Sequence, residues 1–158
     1  MPEIKRLING QDIMPATITG SNIASNTLSN AQIGLAASAS NSVTSAVTTT
    51  STTAYTTVNS LSFTPAKTGK VLVIARLIVN NNIAGDGVSV ELLNGSTVID
   101  GPYTLISSAA SQNQSVTLMA LLTGLTVGTA ITLSTAIEAV TGGTASATGI
   151  LIAMELLA

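Results

Sequence analysis

Any chemistry in this chain has to come from carboxylates, a few cations and hydroxyls. The sequence holds seven Asp and Glu, five Lys and Arg, two Tyr, and neither His nor Cys. A His-based triad, a Cys nucleophile, a zinc site of His or Cys, an iron–sulfur cluster and a disulfide framework are all excluded. Asp86, Glu91 and Asp100 fall in or near one hairpin. Two carboxylates at the right separation could work as a glycosidase pair, and several could offer oxygen ligands to Ca2+. Asp86-Gly87, however, sits in a Gly-bearing loop, where an Asp commonly shapes the turn. The reading taken is of solvated carboxylates, with no catalytic residue, metal site, cofactor or enzymatic activity. The glycines form no G-x-x-x-x-G-K-[ST] phosphate loop. Arg76 is the most informative charge, because it interrupts the apolar run VLVIARLIV. If buried it must pair, and Glu91, Glu138 and Glu155 are the candidate partners, in the core or across a subunit interface.

The elements that carry these residues read as strands. Charged residues are 8% of the chain, against roughly 25% in ordinary soluble domains. Residues 55–63 are β-prone and close on Thr64-Pro65. Residues 70–79 are almost continuously apolar, the pattern of a strand covered on both faces. Residues 80–87 read as a loop. Residues 88–99 carry Asn94-Gly95 at their centre, a hairpin signal of the type I′ turn. Further strands are expected over 115–122, 129–140 and 148–157, with Gly142-Gly143 separating the last two. About eight short strands with turn signals imply an antiparallel β-sandwich. The uncharged stretch 115–137 is long enough to span a bilayer, but its Gly124 and Gly128 and its Val, Ile and Thr content read better as two strands and a turn.

Ahead of this head lie two zones of different character. In residues 1–34 an apolar residue returns every five positions, at Ile8, Ile13, Ile18, Ile23, Leu28 and Ile33. Neither the helical nor the strand period fits, and Pro15 and Gly20 would break a helix. The repeat is too short for a solenoid, whose coils need stacked neighbours. It reads as an extended assembly arm whose isoleucines bury against sister arms or a partner. Residues 35–53, small or β-branched after Leu35, read as a flexible linker or a tightly packed neck. The expected division is thus arm 1–34, neck or linker 35–53, and sandwich head 54–158.

Short motifs in the head resemble C1q/TNF-like jelly rolls. Phe63-Thr64-Pro65 with Gly69 resembles the F-x-P…G-x-Y-x-F/V segment, with Val71 in place of the aromatic. Leu122 followed by Gly128-Thr129-Ala130-Ile131 and Leu133 resembles the L…G-D-x-V-x-L entry to a late strand, with Thr129 in place of Asp. Thr148-Gly149-Ile150-Leu151-Ile152 resembles the closing strand without its Phe. In the arm, Asp12-Ile13, Thr17-Ile18-Thr19-Gly20, Ile23 and Thr27-Leu28 resemble neck repeats of bacteriophage fibres and other virion surface proteins. These resemblances imply a jelly-roll head, a homotrimer and a place on a virus particle.

The composition fits such assembly. With 46% hydrophobic residues and few charges, a monomer of this size leaves apolar surface uncovered, and a closed oligomer would remove it from water. The expected function is that of a homotrimeric capsid decoration protein or short head fibre. Its partners would be itself and a major capsid or tail protein, with a place at the virion surface after synthesis in host cytoplasm without a signal peptide. A tail-fibre tip recognising host surface glycan is the second reading, and a cellular adhesin or filament subunit the third. A net charge of −2 and three aromatics argue against nucleic acid. No membrane insertion is expected.

Overall fold

The computed structural model describes residues 36–157. The six pentad positions Ile8, Ile13, Ile18, Ile23, Leu28 and Ile33 lie outside the described residues. Eight strands follow in order: β1 (Ser38–Thr49), β2 (Thr56–Phe63), β3 (Val71–Asn81), β4 (Gly87–Asn94), β5 (Thr97–Ile106), β6 (Gln114–Leu122), β7 (Ile131–Ala139) and β8 (Ala145–Glu155). They form two antiparallel sheets, β1-β8-β3-β6 and β2-β7-β4-β5. The pairs β1–β8, β2–β7, β3–β6 and β4–β5 are those of one long hairpin folded over on itself. The added pairs β3–β8 and β4–β7 close it into an eight-stranded jelly roll. The expected all-β, antiparallel sandwich is the fold observed.

Alternation along each strand builds the core. On β3 the side chains of Val71, Val73, Ala75, Leu77 and Val79 point inward and are buried, while Leu72, Ile74, Arg76 and Ile78 point outward. Val88, Val90 and Leu92 of β4, Leu133 and Ile137 of β7, and Leu151 of β8 meet them from both sheets. Each such Val, Leu or Ile contributes about 1.5–3 kcal/mol relative to exposure. Gly149 of β8 lies opposite Leu77. An added Cβ there would run into the Arg76 carbonyl oxygen and come within 2.6 Å of Leu77 Cδ2, so the tight β3–β8 contact requires glycine.

Three expectations are corrected in detail. Residues 38–49, read as neck or linker, form β1 inside the sandwich, so the head starts well before residue 54. Its Ser, Thr and Ala residues pair as an edge strand with β8, broken by a bulge between Val43 and Val47, and such an edge needs few large side chains. The hairpin loop is Gly95-Ser96 between the pair Asn94 and Thr97. Gly95 has φ +61° while Asn94 and Ser96 stay out of the positive region, the sign pattern of a type II′ rather than a type I′ turn. The apolar run of β3, read as covered on both faces, is covered on one only among the described residues. Residues 115–137 are β6, a turn and β7, and no helix among the described residues is long and apolar enough to cross a membrane.

Candidate interaction face

The outward side of the β1-β8-β3-β6 sheet is the place where the fold gathers unusual chemistry. Register fixes its rows. Ser38, Met154, Leu72 and Leu121 stand side by side, then Ser40, Ile152, Ile74 and Met119, then Ser42, Ile150, Arg76 and Thr117, then Thr148, Ile78 and Ser115. Two rows are thus apolar on three of four strands. Leu121 and Met119 at the β6 edge are 58% and 60% exposed. Side chains in neighbouring rows shield Leu72, Ile74, Ile150, Ile152 and Met154 only in part. Four strands about 4.8 Å apart and some nine residues long give a projected area of about 600 Å2, the scale of one side of a specific interface.

A groove follows the seam of β1 and β8 on this side. One cavity of about 390 Å³ lies among Ser38, Ser40, Ile152 and Met154. The next, about 440 Å³, lies among Ser42, Thr44, Thr148 and Arg76, and Ile150 lines both. The bulge of β1, between Val43 and Val47, lies beside the second. Arg76 is the sole ionisable residue in these rows, and its Nε donates to Ser115 Oγ at 3.2 Å. None of the expected carboxylates meets it. Glu91 and Glu138 belong to the other sheet, and Glu155 is held elsewhere.

Glu155 was expected as a salt-bridge partner and is instead an anchor. It is 5% exposed, and its carboxylate accepts backbone N–H bonds from Lys67 (2.7 Å), Thr68 (2.6 Å) and Gly69 (3.2 Å) on Oε1, and from Ala66 (2.9 Å) and Ala37 (3.3 Å) on Oε2. The loop between β2 and β3 curls around it as an anion-binding concavity. Gly69, at φ +64° with Leu125 against it, completes the curl. Burial pushes this carboxyl up, but the N–H donors of Thr68, Ala66, Lys67 and Ala37 prevail and hold it at about 2. The sequence signal was available, because Glu155 is the one charge in the closing run ILIAMELL. The anchor ties the start of β1, the β2–β3 loop and the end of β8 at the edge where the apolar rows begin.

The outward side of the other sheet carries polar residues along β4 and β7, while Val98 and Ile106 stand exposed on its edge strand β5. Ser89 of β4 lies opposite Glu138 of β7, and Glu91 opposite Ala136. Tyr55 Oη lies 2.6 Å from Ser89 Oγ. Burial, and then the Glu138 charge, push the Glu91 carboxyl above its ordinary range. Burial raises Tyr55 too, against the Ser89 hydrogen bond that lowers it. The trio Asp86, Glu91 and Asp100 does not converge. Asp86 accepts from Thr141 Oγ1 (2.6 Å), and Asp100 accepts from Tyr103 Oη (2.8 Å) and Met119 N–H (2.7 Å). Among the described residues no group of three Asp or Glu is placed to hold a metal ion.

No family model matches the chain, and no curated protein matches it. Solved structures similar to it include the VP2 subviral particle of infectious bursal disease virus, at 10% identity and TM-score 0.47, covering 75% of this chain and 32% of that one. This chain thus spans about a third of the VP2 chain's length. Others are the Stig cyclase Fisc from Fischerella sp. TAU, at 13% identity and TM-score 0.39 over 78% and 77% of the two chains, and a carbohydrate-binding module of Cellvibrio mixtus lichenase 5A, at 15% and 0.33 over 70% and 96%. The cyclases correct one expectation: similar chains include enzymes, so the reading of this chain as no enzyme does not stand. At these identities and TM-scores, function has to be argued from this chain's own residues.

Proposed function

We propose that this chain is a structural protein of a virus particle, a homotrimeric capsid decoration protein or short head fibre. Its N-terminal residues engage the assembly and its jelly-roll head projects outward. The observation that carries the reading is the outward side of the β1-β8-β3-β6 sheet, where Leu72, Ile74, Met119, Leu121, Ile152 and Met154 form two adjoining apolar rows with no charge among them. A soluble chain with so little charge gains from removing such a surface from water, at about 25 cal/mol per Å2 before the cost of association. The resemblance of Asp12-Ile13 and the following pentads to fibre neck repeats supports the virion setting.

The test is the solution mass of the full chain by light scattering, followed by a search for the chain in density-banded particles from its source. A mass of about three chains and presence in the particle band are expected. A stable monomer, or absence from particles, overturns the reading.

A further inference from the structure

We propose that the groove on the outward side of the β1-β8-β3-β6 sheet is the docking site for residues 8–12 of this same sequence, with Ile8 at the Met154 end and the Asp12 carboxylate paired to the Arg76 guanidinium. This rests on the assembly reading above and names the occupant of its central surface.

Charge selects the occupant. Arg76 lies in a surface that association would dry, and a guanidinium cut off from water needs a carboxylate. A second copy laid face to face would bring Arg76 toward Arg76, since these rows hold no acid. The described carboxylates are committed elsewhere: Glu155 to its ring of N–H donors, Asp86 to Thr141, Asp100 to Tyr103 and Met119, and Glu91 and Glu138 to the opposite sheet. Between Leu7 and Ala66 the sequence has one charged side chain, Asp12, and it stands among the pentad isoleucines. The one cation of these rows is thereby offered the one charged side chain between Leu7 and Ala66.

Position and length agree. The chain enters the described fold at Ala36-Ala37, where Ala37 pairs with Glu155 through both its N–H and its carbonyl. That is the end of the groove bearing Ser38 and Met154. From the Leu72 row to the Arg76 row is four residues of β3, about 13 Å at strand rise. Ile8 and Asp12 are also four apart, so an extended segment presents both on one side at the same spacing. Gly10 between them has no side chain to hold the segment off the sheet. The residues from Asp12 to Ala36 give ample chain to return to the entry point, or to arrive from a neighbouring copy.

The test uses the full chain with Arg76→Lys, which keeps the charge and adds an amine. A water-soluble carbodiimide activates carboxylates and joins them as amides to amines in direct contact, with loss of water. Peptide mass mapping reads the partner. The expected product joins position 76 to Asp12, and it is lost in Arg76→Lys combined with Asp12→Asn. Coupling of position 76 to another carboxylate, or no coupling in a protein whose circular dichroism is unchanged, overturns the docking. Light scattering on the same sample separates the two readings. A trimer without the Asp12 link removes this docking and leaves assembly standing, whereas the link in a monomer keeps the docking and removes the trimer.

Discussion

The two outward faces of this sandwich are built from the same kind of strand and prepared for different surroundings. On β3 and β8 the outward positions nearest the chain's entry are Leu72, Ile74, Ile150, Ile152 and Met154, with Arg76 the one charge among them and Thr148 and Ser146 following beyond. On β4 and β7 the corresponding positions are Ser89, Glu91, Ser134, Ala136 and Glu138. The inner sides of both sheets are mainly apolar, with Asn59 and Thr135 buried opposite each other on the β2–β7 pair. An antiparallel sheet with one solvated face shows apolar-in, polar-out alternation, and β4 and β7 follow it in residue type, although Ser89 and Glu91 are themselves covered and Val98 and Ile106 are exposed on the edge strand β5. The other sheet departs from it over the very rows next to the chain's entry. The fold therefore states where a partner is needed before any partner is known.

The largest effect should come from placing a charge in the apolar rows. Ile152→Asp puts a carboxylate where assembly would bury it unpaired, at a cost of several kcal/mol, and should reduce the solution mass from about three chains to one. Thr104→Asp, on the exposed polar side, should leave the mass unchanged. Equal responses from the two faces would erase the distinction between them.

The next effect concerns the anchor at the edge of the apolar face. Glu155→Gln keeps the shape but gives up the charge that five backbone N–H groups address, and should cost about 2–3 kcal/mol of stability at neutral pH. In the native protein the Glu155 carboxyl is lowered from 4.5 to about 2. Its contribution is present above the unfolded value and fades as pH falls from about 4.5 toward 2. Urea midpoints across that window should converge for the native chain and the variant. A constant gap would place the anchor's contribution in packing rather than charge.

Much of this architecture was legible in the residues. The runs that became β2, β3, β6, β7 and β8 announce themselves by Val, Ile and Thr content, and the loop at Gly95 by its glycine. Arg76 was visible as an interruption whose environment would matter. What escaped reading depends on long-range register. β1 has no strong apolar alternation of its own and becomes a strand because β8 offers it a ladder. The Glu155 cradle gathers backbone donors from residues 37 and 66–69, so no local motif marks it. Tyr55, Ser89 and Glu138 meet only once β4 and β7 pair. The doubly apolar pattern of β3 was sound as chemistry, and its second cover is what the described residues do not supply.

The smallest effect tests the polar face and has the opposite sign. Glu91 is 7% exposed, with its carboxyl raised by burial and then by the charge of Glu138. A group raised in the folded state favours its protonated form there. It opposes folding progressively as pH climbs above the ordinary carboxylate range. Glu91→Gln removes that charge while keeping the shape, and should stabilise the protein at pH 7 by about 0.5 kcal/mol, the scale of one cross-strand pair. The gain should vanish once the solution is acid enough to protonate Glu91 in both states. Glu155→Gln must lose stability under the same neutral conditions in which Glu91→Gln gains it. The contrast follows from what surrounds each carboxylate, because both residues are buried glutamates on strands. Five N–H donors face one of them, and a second carboxylate stands near the other. A neutral-pH loss on Glu91→Gln would mean that its carboxylate is engaged by something bound to the polar face, and that this face too has a partner.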